Sequence, residues 1–159
     1  MDFVDETIIE NIVEKLGASD ANFEKQVEYL KGKYPLRLGY LFSEDTEAFT
    51  NEEQSLVLFL GTVIISACEE VAGGKLGMVE EKDLMSFEEE NWEKIQSATG
   101  TGFNSRLDVF FKDTDQEDLL AFIEDNLVDD EDNVITKEGR EPIFILLKTM
   151  VDACTLPTA

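Results

Sequence analysis

Apolar residues recur at helical spacing through nearly the whole chain. Val4, Ile8, Ile9, Ile12, Val13 and Leu16 fall on one stripe, the pattern of a helix that buries a single face. Glu6, Glu10 and Glu14 run along another face, and Gly17 is placed to end the helix as its C′ residue. Ser19 or Asp20 then caps a second helix whose stripe is Phe23, Val27, Leu30 and Tyr34. Pro35 stops it. The next segment has two readings. Leu36, Leu38, Tyr40 and Phe42 alternate as in a strand, whereas Tyr34, Leu38, Leu41 and Phe42 fit a helix. No partner strand is evident, so a short helix beginning at Pro35 is the expectation.

Thr50-Asn51-Glu52-Glu53 is a capping box in front of a long apolar run. It predicts a helix over 51–72, apolar nearly all round from Leu56 to Val71 and therefore covered on most sides. Gly61 in its middle costs about 1 kcal/mol against alanine, which implies a close crossing by a neighbouring helix. Gly73, Gly74 and Gly77 mark a loop. Residues 80–98 are helical, with a restart expected at the Ser86-Phe87-Glu88-Glu89 box and Phe87, Trp92, Ile95 and Ala98 on the apolar side. Thr99 to Gly102 is a turn, and Phe103, Leu107, Phe110 and Phe111 again have helical spacing. Asp113-Thr114-Asp115 is expected to cap a helix bearing Leu119, Leu120, Phe122, Ile123 and Leu127. A charged loop covers 129–133, and a last helix starts near Pro142 and carries Ile143 to Cys154. The pattern predicts an all-α, single-domain bundle of about seven or eight helices around the 51–72 helix.

Composition agrees. Three prolines and ten glycines in 159 residues are too few for the many tight turns of an all-β chain. Charge changes the picture more. Thirty-six acids against thirteen bases give −23, a field that repels phosphate backbones and anionic headgroups and so argues against nucleic-acid or membrane-surface binding. It favours cationic partners, either basic proteins or divalent metals. Solubility alone is the bland alternative. The acidic N-terminus lacks the basic region of a leader. The apolar stretch from Ser55 to Cys68 is shorter than a bilayer span and flanked by acidic pairs. A cytoplasmic location is the expectation, with Cys68 and Cys154 as reduced, buried thiols.

Histidine is absent, which removes the commonest general base and the commonest transition-metal ligand. No dinucleotide or P-loop fingerprint is present. Thr99 to Arg106 resembles a phosphate loop only in carrying glycines and an arginine. Asp113, Asp115, Glu117 and Glu124 match the first, third, fifth and twelfth positions of a calcium loop, but Asp118 stands where that loop needs glycine. The helical stripe beside it favours a capped helix. Asp108, between Leu107 and Val109, reads as solvent-facing. Asn133 to Pro142 looks motif-like without an attached mechanism. No catalytic residue, metal ligand or cofactor is assigned.

The acidic run is the candidate site. Asp113, Asp115, Glu117, Asp118, Glu124, Asp125, Asp129, Asp130, Glu131 and Asp132 are ten acids uninterrupted by a base. The function that fits is a non-catalytic acidic helical protein that binds a partner protein, a basic one, by electrostatic steering. Inhibitors of basic enzymes, including immunity proteins against nuclease toxins, provide the analogy. The alternatives are a small carboxylate-based enzyme or a domain binding a divalent metal or other ligand, and a self-associating helical domain, for example a homodimer.

Overall fold

A computed structural model describes residues 1–127 and 135–156, the side chain of Asp45 excepted. Of the described residues 70% are helical, and no strand occurs among them. In chain order the α-helices are α1 (Glu6–Gly17), α2 (Asp20–Lys33), α3 (Pro35–Tyr40), α4 (Asn51–Val71), α5 (Glu81–Gln96), α6 (Phe103–Arg106), α7 (Asp108–Phe111), α8 (Glu117–Asp125) and α9 (Arg140–Cys154). A single turn of 3₁₀-helix, Glu44–Thr46, precedes α4.

The centre is α4, as its pattern requires. Every residue from Leu60 to Cys68 is buried. Thr50 and Glu53 close the capping box: the Thr50 hydroxyl accepts from the Glu53 N–H at 3.1 Å, and the Glu53 carboxylate accepts from the Thr50 N–H at 2.9 Å. Gly61 meets a close approach: a β-carbon there would lie 2.6 Å from the Leu41 methyl groups. By length and composition α4 could cross a membrane, yet 56% of its most apolar window is buried inside the protein. The centre is shared with α9, whose residues Ile143 to Val151 are all buried. Between α5 and α9, the buried Asn91 donates to Thr149 Oγ1 at 3.1 Å and to Asp152 Oδ2 at 3.0 Å.

Three local expectations are corrected. Gly17 is the last residue of α1 rather than a left-handed cap, because the chain turns at Ala18 and Ser19 immediately caps α2. Helix α5 runs unbroken past Ser86, since buried Leu84, Asn91 and Ile95 form one continuous face and the real cap is the Glu80–Asp83 box. Neither Asp113 nor Asp115 caps α8. Its N-cap is Gln116, without a capping side chain, and the Thr114 hydroxyl instead accepts the Gln116 N–H at 3.0 Å.

Candidate acidic binding site

Gln116 gives up the role of cap for a longer-range one. Its buried amide accepts from the Val4 N–H at 2.9 Å and donates to the Asp2 carbonyl at 3.0 Å, which pins the start of the chain beside α8. Two residues on, Asp118 Oδ2 accepts from the Glu6 N–H at 2.9 Å. That amide is one of the four at the start of α1 with no partner inside the helix. A carboxylate there also suits the positive end of the helix dipole. Asp118 therefore clamps α1 against α8.

The clamp assembles the site. A groove of about 200 Å³ runs between the two helices, with Glu6, Glu10, Asp118 and Asp125 around Ile9, Ala121 and Phe122. None of these four carboxylates pairs with a lysine or arginine among the described residues. The acidic stripe of α1 was visible in the sequence; its apposition to α8 was not, because nothing in the spacing says which helices are neighbours. The available signal is that Gln116 lies three and four residues before Leu119 and Leu120, on the line of the apolar stripe.

The other acids of the run are dispersed. Asp113 forms an ion pair with Lys94 at 3.3 Å, and Asp115 and Glu117 are exposed. Glu124 turns the other way. Burial first, then repulsion from Asp125 and Asp108, raises its pKa above the ordinary carboxylate value. Asp108 itself is exposed. Asp129, Asp130, Glu131 and Asp132 lie outside the described residues. A raised folded-state pKa means that the charged form of Glu124 opposes folding. The penalty is full above the folded pKa and fades as pH falls toward the unfolded value. Glu124→Gln is therefore expected to raise the melting temperature at neutral pH and to leave it unchanged in acid, as a thermal melt at both pH values will show.

Other candidates resolve into structural roles. Helix α8 occupies the positions that a calcium loop would need to wrap, and among the described residues no group of three or more acids and cysteines is placed to hold a metal. Arg106, the arginine of the phosphate-loop resemblance, is joined to Glu141 through Nε at 2.6 Å and also donates to the Ile95 carbonyl at 3.2 Å. Glu141 is thus committed to Arg106, while Arg140 sits over the Phe103 ring. Part of the motif-like segment before α9 is explained by Glu53. This residue is 2% exposed, and its Oε2 accepts from both the Thr136 N–H and the Thr136 hydroxyl at 2.9 Å. Gly139 is required beside it, because a β-carbon would overlap the Glu53 carboxylate and the Thr136 hydroxyl. Burial alone would raise the Glu53 pKa, but the donors of Thr50 and Thr136 outweigh it and hold it below the ordinary value. Cys68 and Cys154 are free, buried and in contact. The hydrogen bond with Cys154, with burial added, pushes Cys68 well above the usual thiol range, as befits inert core thiols.

In comparisons with known proteins, the chain matches no family model, no curated protein and no solved structure.

Proposed function

We propose that this chain is a non-catalytic acidic helical protein that binds a basic partner protein, with the α1–α8 groove receiving a cationic side chain of that partner. The observation that carries the reading is the groove's composition: four carboxylates, none with a lysine or arginine partner among the described residues, around an apolar floor. That combination suits the two ends of a lysine or arginine. The methylene stem packs on Ile9, Ala121 and Phe122, while the charged head meets the carboxylates. Like charges gathered on two apposed helices repel one another in the free protein, so a cation is favoured there over a neutral group. The remainder of the −23 field supplies steering, which raises association rate more than affinity. At about 200 Å³ the groove is smaller than the pockets that enclose substrates, which start near roughly 300 Å³. This weighs against catalysis on an enclosed substrate in this groove.

The test uses a short arginine-rich peptide as probe, followed by amide chemical shifts. Saturable changes are expected at residues 6–10 and 118–125, and their loss in a Glu6→Gln, Glu10→Gln, Asp118→Asn, Asp125→Asn variant. Asparagine at 118 keeps an acceptor for the Glu6 N–H, so the fold is expected to persist. Shifts scattered evenly over the acidic surface would show that the groove has no special role.

A further inference from the structure

A second groove, of about 320 Å³, opens between the start of α3 and the loop from Lys75 to Val79. It reverses the electrostatics of the rest of the molecule. Lys33, Arg37 and Lys75 line it and no acid does, in a chain where acids outnumber bases 36 to 13.

The floor residue is the informative one. Arg37 is only 3% exposed. Its Nη2 donates to the Gly77 carbonyl at 2.7 Å and to the Ala153 carbonyl at 2.9 Å. Its guanidinium lies 5.3 Å from the centre of the Tyr34 ring. Nε has no hydrogen-bond partner, and no carboxylate forms an ion pair with Arg37 among the described residues. A buried charge without a counter-charge is normally strongly unfavourable. The Ala153 carbonyl belongs to the last turn of α9, so the helix dipole offsets roughly half a charge; beyond that and the Tyr34 ring, no acidic side chain balances it among the described residues. On the rim, Lys33 is already paired with Glu69 at 3.2 Å, but Lys75 is exposed and has no ion pair among the described residues. The walls are apolar: Leu36, Val79, and Met78, which is 93% exposed. Methionine is an adaptable contact for an apolar ligand.

We propose that this groove binds a small organic anion, a carboxylate with an apolar body: the carboxylate is met by Arg37 and Lys75 and the body by Leu36, Met78 and Val79. The site is independent of the acidic groove, and either reading can fail without the other.

The experiment is a titration followed by amide chemical shifts, with hexanoate, hexanamide and inorganic phosphate as separate probes. Hexanoate is expected to give saturable shifts at 33–37 and 75–79. Hexanamide and phosphate are each expected to bind roughly ten-fold more weakly, since one lacks the charge and the other the apolar body. Lys75→Glu and Leu36→Asn, both at accessible positions, are expected to weaken hexanoate. Arg37→Gln is expected to abolish its binding if the variant folds; the two surface variants keep the proposal testable if it does not. Equal binding of hexanamide, equal binding of phosphate, or unchanged hexanoate affinity in Lys75→Glu overturns the proposal.

Discussion

Replacing Glu53 with alanine is expected to destabilise the fold by about 3–5 kcal/mol, because it removes a buried carboxylate and strands three part-buried donors at once. The carboxylate accepts from the Thr50 N–H, the Thr136 N–H and the Thr136 hydroxyl. No helix propensity gained by alanine approaches that loss. For a chain of this size the change lowers the melting temperature by roughly 10 °C. The acid limb of the stability curve supplies a second readout. A carboxylate whose folded pKa lies below its unfolded value adds stability that is complete above the unfolded pKa. That contribution disappears as pH falls through the folded pKa. Glu53→Gln keeps the shape but removes the titrating group, so it is expected to be less stable than wild type at neutral pH and to converge with it in acid. Denaturant unfolding across that range decides the matter, and parallel wild-type and variant curves would mean that Glu53 is not the fastener described.

The second large effect is Ile64→Asp. Ile64 is fully buried in the middle of α4, and an unpaired aspartate there costs several kcal/mol against a total stability of roughly 5–15 kcal/mol. The variant is expected to lose its cooperative thermal transition. Leu58→Asp is the instructive contrast. The apolar run made the two positions look equivalent, yet Leu58 is only half-buried, so its carboxylate can reach water and a clear melting transition is expected to survive. Equal damage from both would mean that α4 is covered near its N-terminus as well.

These two cases show what the sequence conveys and where it stops. Capping boxes and stripes are local, and they located α1, α2, α4 and α9 to within a residue or two. Thr50 and Glu53 lie three residues apart, so their reciprocal bonds were legible. The other bond of the same carboxylate, to Thr136 across 83 residues, was not. The site divides in the same way. Glu6 and Glu10 fall on one stripe, Asp118 and Asp125 belong to the acidic run far along the chain, and only the tertiary clamp from Asp118 to Glu6 N–H brings them together. Asp113 and Asp115 have the residue type of a cap, which is why the sequence suggests them. Backbone geometry gave the cap position to Gln116, whose amide was needed by the N-terminal segment. Charge density along the chain singles out α8 but assigns equal weight to acids that face different ways. Arg37 gave no signal at all, since a lone arginine in a short apolar segment looks like an exposed residue until its surroundings are known.

The central claim is that the acidic groove, rather than bulk negative charge, selects a basic partner. The measurement is affinity capture from the native cell extract with three baits: wild type, the groove variant with Glu6, Glu10 and Asp125 neutralised and Asp118→Asn, and a variant of matched net charge. The matched variant carries Glu24→Gln, Glu28→Gln, Glu89→Gln and Glu90→Gln, all at exposed positions away from the groove. Wild type and the matched variant are expected to retain the same basic protein at low salt, while the groove variant loses it despite an unchanged or higher melting temperature. Loss of capture in both variants, or in neither, would contradict a role for the groove.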